Sequence, residues 1–463
     1  MKTRTFKGGI HPKEMKELSR DCPITPAFPS SNTVTIPVTM GGAPNTPLVK
    51  VGDVVAKGQV IASGDKFMSV PVHASVSGKV KKIANFLTTG NAEVPCIVIE
   101  SDGSDTTAFM EPLDPFTCER TAALDRIKQA GIVGMGGASF PAHVKLNPPE
   151  DKDIEYVLVN AAECEPYLTV DERTMKETPE KLIDGLAIVL KISGAYGIIA
   201  LEDNKAYLKP VLEEQILKCG YTDDMEVVLV KTKYPQGSEK FIVESVLGAE
   251  IPSAKLPADA GTIISNVGTF CAISDAFRLG MPLISRALTV SGGGCTKPCN
   301  LKVPVGTLVS DLMPQFFDKK DCTVKIISGG PMMGFAMPTE AFPIVKGTSG
   351  ITFLTEEETF LKDESQCISC GKCISACPMH LSPVLMSKEL EAQNIASARK
   401  FGLMDCIECG CCAYVCPAGI RLVQRFRMGK FIVRTQMAQV FRESKILFWR
   451  LLRQQARTHA RLW

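Results

Sequence analysis

The sequence has no uninterrupted apolar stretch of the ~18 residues that a bilayer-spanning helix needs, so no crossing of a membrane is expected. No apolar run follows Met1-Lys2-Thr3-Arg4-Thr5-Phe6-Lys7. A secretory leader is therefore not expected, nor the oxidising compartment that would make disulfides the natural use of cysteine. Net charge is nearly absent: 52 Lys and Arg stand against 50 Asp and Glu. No strongly basic body points to nucleic acid, and none is expected as a partner. Cysteine, in contrast, is abundant, with 18 in 463 residues. Half of these lie between Cys367 and Cys416, which favours metal ligation. The 45% hydrophobic and 22% charged fractions are those of a soluble globular protein. The length calls for about three domains.

Cys367-x2-Cys370-x2-Cys373-x3-Cys377-Pro378 fits the C-x2-C-x2-C-x3-C-P pattern at every position, and Cys406-x2-Cys409-x2-Cys412-x3-Cys416-Pro417 fits it again. Three thiolates spaced two apart can hold three irons of one cubane from a single loop. The fourth, expected at the start of a helix, points away to the other cluster. This assigns Cys367, Cys370, Cys373 and Cys416 to one [4Fe-4S] cluster. Cys377, Cys406, Cys409 and Cys412 take the other. The competing use, structural zinc, needs only two C-x2-C pairs and has no role for the third cysteine or the proline. Cys411 fits neither spacing and is not expected to be a ligand. Pro383 to Phe401 reads as helical, which suggests a helical rather than a strand-built two-cluster ferredoxin domain over 355–425.

Upstream, short β-rich runs with glycine turns from Val34 to Glu100 argue a small β module within 1–110. Its texture resembles the lipoyl/biotinyl barrel-sandwich. The tip, Phe67-Met68-Ser69-Val70, has no lysine at the usual modification point, so a structural module is expected. From Thr121 the runs Tyr156–Asn160, Gly197–Leu201 and Glu226–Val230 alternate with helical segments 180–191 and 207–219. That order reads as an α/β domain with a mostly parallel sheet over 111–285. A second small β module fits 286–350, and a polar linker leads from it to the cysteines.

Gly131-Ile-Val-Gly134-Met-Gly136-Gly137-Ala138-Ser139-Phe140-Pro141 is a glycine-rich loop ahead of Lys145. Glycines let backbone amides approach a phosphate, and a following helix start would add positive field. The strand after it ends in Asn160-Ala161-Ala162-Glu163-Cys164-Glu165-Pro166, where two acids could face a ligand crevice or simply sit in a solvated loop.

These two segments resemble the NADH-oxidising flavoprotein subunit of respiratory complex I, as do Tyr234-Pro-Gln-Gly237-Ser238-Glu239 and Ser265-Asn266-Val267-Gly268-Thr269. The resemblance implies a Rossmann-like domain binding FMN and NAD(H). Gly134, Gly136, Gly137 and Lys145 would hold the FMN phosphate and ribityl chain. Asn160, Glu163, Asn266 and Thr269 would border the flavin, with Tyr234, Gly237 and Ser265 lining the site. Glu165 and Glu239 would face the nicotinamide nucleotide as the catalytic pair. Ala162 departs from the family's usual Asp and loses a polar contact. The middle β module would be of the β-grasp, soluble-ligand-binding type.

Over nearly its whole length the chain resembles the RnfC component of Rnf-type ion-translocating ferredoxin:NAD oxidoreductases, with Phe6-Lys7-Gly8-Gly9-Ile10-His11-Pro12, Gly329-Gly330-Pro331-Met332-Met333-Gly334 and the two cysteine motifs. The resemblance implies a peripheral subunit on the cytoplasmic side of the membrane. Its partners would be integral-membrane and ferredoxin-like subunits, with ferredoxin engaged indirectly. A flavin and iron–sulfur cobalamin reductase shares the glycine loop and cluster motifs but lacks the Phe6–Pro12 opening. A cluster-bearing adaptor without flavin is the non-enzymatic alternative. The stretch 426–463 is basic and interleaves Ile446-Leu447-Phe448-Trp449 with arginine. It reads either as an amphipathic helix on lipid or a partner, or as a solvated tail.

Overall fold

The computed structural model describes residues 3–359 and 363–436. The basic tail proposed over 426–463 lies largely outside the described residues. The chain divides into two compact units, His11–Leu361 with Met1–Phe6, and Lys362–Trp463 with Lys7–Ile10. Among the described residues no helix is long and apolar enough to cross a membrane.

The larger unit begins with β structure. Thr33–Pro37, Ala92–Ser101, Gly78–Thr88 and Val54–Val55 form an antiparallel sheet in that order, and Thr46–Pro47, Val60–Ser63 and Val72–His73 form a second. Val34, Ile36, Ile61, Val72, Val80, Ile97 and Ile99 make their shared core. The lysine-free tip at Phe67–Val70 is a packing element. Met68 O accepts the Ala43 N–H at 3.0 Å, and the Phe67 carbonyl lies 3.2 Å from Nε2 of His143.

The α/β part holds four parallel strands in the order Met225–Val230, Tyr196–Glu202, Tyr156–Ala161, Thr262–Asn266. Both faces are covered, so the strands read as near-continuous apolar runs, and alternation sorts the side chains between two cores. Val157, Val159, Ile199 and Leu201 pack with helices Pro179–Ser193 and Val267–Arg278. Leu158, Ile198, Ala200 and Ile264 pack with helix Glu239–Leu247. In chain order the strands run 3-2-1-4, so the connections diverge between the first and the fourth. Ligands in open α/β sheets bind beyond the carboxyl ends of the strands at such a switch point.

A six-stranded mixed sheet follows, ordered Ile24–Pro26, Cys299–Pro304, Ser285–Ser291, Gly350–Thr355, Thr323–Ser328, Phe335–Met337. It reaches beyond the span 286–350. Its edge strand comes from the N-terminal region in parallel register, Ile24 opposite Asn300. An inner strand starts only at Gly350 and runs parallel to Ser285–Ser291. The linker expected as merely polar contains a helical turn, Glu356–Thr359. There Glu358 accepts the backbone N–H groups of Gly293 and Thr355.

In the smaller unit the elements formed by the described residues are helices joined by loops. Pro383–Glu391 and Ile395–Lys400 replace the single helix expected over 383–401. The break falls where Gln393 takes a positive φ of 58° and the Asn394 side chain caps the second helix by accepting from the Ser397 N–H. Met386, Ala398, Leu403, Phe426 and Val433 form the core, Phe426 and Val433 on a helix running from 422 to 436.

Gly185 tests the packing. Ala in a helix interior ordinarily stabilises by about 0.5–1 kcal/mol over Gly, but a Cβ here would lie 2.0 Å from the Phe270 carbonyl oxygen of the facing helix. Gly185→Ala should lower stability by about 1–3 kcal/mol as overpacking does. A melting temperature equal to or above that of the parent would contradict this packing.

Candidate functional site

Of the residues expected at the flavin, the structure brings Asn160, Gly237, Ser265, Asn266 and Thr269 together around the switch point. Asn160 and Asn266 are register partners on adjacent strands. Asn160 Nδ2 donates to the Gly237 carbonyl at 2.7 Å, and its Oδ1 accepts the Ala162 N–H at 3.2 Å. Gly237 must be glycine, because a Cβ would meet the Ala162 oxygen at 2.6 Å. Its N–H points to the half-buried Cys164 sulfur at 3.2 Å. Tyr234 is buried at the same corner, and Ser265 pairs with Val159 in the sheet. Asn266 caps the helix Val267–Arg278 by accepting the Gly268 N–H at 2.9 Å, and donates to Asp171 Oδ2 at 2.6 Å.

The glycine loop is docked onto this helix. Thr269 Oγ1 accepts the Met135 N–H at 3.0 Å, and Arg286 Nη2 donates to Met135 O at 3.0 Å. The Gly134 N–H is used within the loop, on Phe140 O. The N–H groups of Gly136, Gly137 and Ala138 make no hydrogen bond among the described residues. A Cβ at Gly136 would approach only Asn266 Cβ, at 3.5 Å, and one at Gly137 would meet nothing within 4 Å. At Gly136 neither packing nor a positive φ demands glycine. Bare backbone with unspent donors suits a phosphate, and the residues present fit an FMN phosphate. The helix after the loop is one turn, Ala142–Lys145, so the loop amides rather than a long helix dipole supply the field. Lys145 already pairs with Glu239 at the start of helix Glu239–Leu247.

The two acids of the Asn160 segment are not loose loop residues. Glu163 turns inward, accepts the Asp171 N–H at 2.8 Å at the start of helix Val170–Glu177, and lies 3.8 Å from Lys16 Nζ. Burial pushes its carboxyl up to about 7. Glu165 accepts the N–H groups of Met332 and Met333 at 3.0 and 2.8 Å, and burial raises it to about 7 also. It is thus spent on the Gly329–Gly334 loop. A side chain at Gly330 would stand 2.3 Å from its Oε2. Lys16, Asp171 and Arg286 were not singled out from sequence. Arg286 offered a signal, a lone cation in the apolar run Leu283–Val290. Arg286 is 2% exposed, and burial lowers its guanidinium to about 10.

The cysteines line two cavities. Cys367, Cys370, Cys373 and Cys416 face one, and Cys377, Cys406, Cys409 and Cys412 the other. These are the two sets that cross-ligation requires, and four thiols around a hollow fit a cubane. Cys411 borders the second cavity. The loops share a backbone recipe: Ser369 and Glu408 take positive φ, as do Gly371 and Gly410 just after the second cysteine. The fourth cysteines do not begin helices. Cys377 caps the C-terminus of Lys372–Ala376, and Cys416 follows Cys411–Tyr414. The prolines after them cannot continue a helix, which turns each fourth thiol toward the other loop's cavity. Gly8, at φ 77°, lies so close to Cys377 that a Cβ would be 2.9 Å from its carbonyl oxygen, and the Gly9 N–H donates to Ala376 O.

Three family models match: the RnfC barrel sandwich hybrid domain over 4–104, the Nuo51 FMN-binding domain over 127–275 and the 4Fe-4S dicluster domain over 359–417. The chain is 45% identical over 388 residues to the C component of the proton-translocating ferredoxin:NAD(+) oxidoreductase complex of Clostridium ljungdahlii, covering 83% of this chain and 84% of that one. It is 42% identical over 438 residues to the C component of the Na(+)-translocating complex of Acetobacterium woodii, covering 93% and 97%. The chain belongs to the RnfC family of ion-translocating ferredoxin:NAD(+) oxidoreductase complexes. A third member, from Rhodobacter capsulatus, is 40% identical over 434 residues, covering 92% of this chain and 82% of that one. Among solved structures, a chain of an NAD+-reducing [NiFe]-hydrogenase aligns with 68% of this chain and 63% of its own, at 19% identity and a TM-score of 0.48. As a member of the RnfC family, the chain joins an FMN domain to a two-cluster domain.

The cavities make a pairing test. Anaerobic parent protein should contain about eight irons, by the stoichiometry of two cubanes. Cys370→Ala and Cys416→Ala should abolish the same cluster signal, and Cys409→Ala and Cys377→Ala the other. Electron paramagnetic resonance with iron analysis reads this. Zinc in place of iron, or Cys416→Ala pairing with Cys409→Ala, would contradict the assignment.

Proposed function

We propose that this chain is the NADH-facing peripheral subunit of a membrane-bound ferredoxin:NAD oxidoreductase. It passes electrons between NAD(H), FMN and two [4Fe-4S] clusters, while partner subunits couple the flow to Na+ or H+ transport. The observation that carries the reading is the combination in one chain of the unspent Gly136–Ala138 amides at the switch point and two four-cysteine cavities. Hydride brings two electrons and a cluster accepts one, so the bound flavin supplies the conversion. The chain's residues would bind and orient. Gly136, Gly137 and Ala138 would hold the phosphate, with Lys145 released from Glu239 to join them. Asn160, Asn266 and Thr269 fix the crevice wall, with Tyr234, Gly237 and Ser265 at its border. Glu163 braces the wall from behind. Glu165, held by the Gly329–Gly334 loop, and Glu239, paired with Lys145, would face the nicotinamide nucleotide.

Residues 111–285 would be a Rossmann-like flavin/NAD domain, 286–350 a β-grasp module and 355–425 a helical ferredoxin domain, with attachment at the cytoplasmic membrane surface beside integral-membrane and ferredoxin-like subunits. The packing of Gly8 and Gly9 on residues 376–378 gives the opening motif a role at the first cysteine loop. This favours the RnfC reading over a cobalamin reductase, which lacks that opening.

Gly136→Val should abolish FMN retention, because the side chain would fill the space the open loop keeps for phosphate. Iron content should be unchanged. Flavin released by denaturation and measured by fluorescence checks this, and full flavin occupancy in the variant would show that the loop is not the phosphate site.

A further inference from the structure

The two cysteine sets differ in exposure. Cys367 and Cys370 are exposed, and residues 363–370 are exposed throughout. Cys377, Cys409 and Cys412 are buried, at 9%, 8% and 8%. Around the open cavity stand three exposed aliphatic side chains, Ile368 at 68%, Ile374 at 43% and Leu385 at 40%. The charges at its rim are unevenly spent. Glu364 and Glu391 both pair with Arg425. Lys372 and Lys388 line the same cavity, are exposed, and make no ion pair among the described residues. An apolar centre with free lysines beside the thiols is a polar-rimmed surface of the kind that transient encounters use.

The geometry points to this face as the electron port of the chain: the cluster held by Cys367, Cys370, Cys373 and Cys416 exchanges electrons with an external redox protein that presents acidic side chains around an apolar contact. The inference rests on the electron-transfer reading and adds which of the two clusters meets the partner and what chemistry the partner shows. Charge complementarity selects that occupant. The chain's own stretch 437–463 has six Lys or Arg against a single acid, Glu443, so it would be repelled by a lysine rim. Rim charges of this kind act mainly on encounter rate and salt dependence, and the apolar centre on residence time.

The test uses the full, cofactor-loaded chain and, as probe, the remaining subunits of the complex purified without it. Lys372→Glu with Lys388→Glu should weaken binding to that subcomplex by about tenfold or more at low salt and flatten its salt dependence. Ile368→Asp should shorten the lifetime of the complex. Iron content, both cluster signals and flavin should stay at parent levels, and Lys400→Glu, away from the cavity, should bind as the parent does. Binding within twofold of the parent in the double variant would overturn the port. So would loss of binding only on deleting 444–463, or a defect seen with anionic vesicles and not with the subunits. If the parent's clusters take no electrons from NADH at all, the electron-transfer reading fails, and that result is separable from a binding defect.

Discussion

Asn160 and Asn266 stand side by side on neighbouring parallel strands at the point where the connections of the sheet diverge, and much of the larger unit is arranged around that pair. Each amide is tied. Asn160 holds the Gly237 corner, and Asn266 both caps its helix and grips Asp171. Asp171 lies at the start of the helix that Glu163 caps, and Lys16 sits behind Glu163. The glycine loop is pinned by Thr269 from the same helix as Asn266 and by Arg286 from the six-stranded sheet. A buried polar network of this kind is costly unless every member is paired. Its pairing here holds the walls around three loop amides that make no hydrogen bond among the described residues.

Much of this was legible because it is local. Ligand spacing in the cysteine loops lies within twelve residues, so the pattern alone assigned all eight thiols to the two sets that line the two cavities. The apolar runs at 156–160, 197–201 and 226–230 identified a parallel sheet, since strands buried on both faces show no alternation. The glycine loop and the two asparagines were found through a family resemblance, and the strand order gives an independent reason for their meeting.

What escaped the sequence depends on contacts between distant segments. Ile24–Pro26 carries no strong strand signal, yet it completes a sheet whose other strands begin more than 250 residues later. The carboxylate of Glu165 could not be told from a solvated one without the Gly329–Gly334 loop that closes on it. The fourth cysteines were expected at helix starts and lie at helix ends instead, because the proline that follows terminates the turn before it.

Hydride arriving at the flavin should leave through the cysteine loops one electron at a time. Anaerobic mixing of NADH with the flavin-loaded and flavin-stripped chain, followed by cluster absorbance and electron paramagnetic resonance, tests it directly. The clusters should be reduced in the loaded protein and remain oxidised in the stripped one, with reduction restored when FMN is added back. Cluster reduction at the same rate without flavin, or none with it, would contradict a flavin-mediated path.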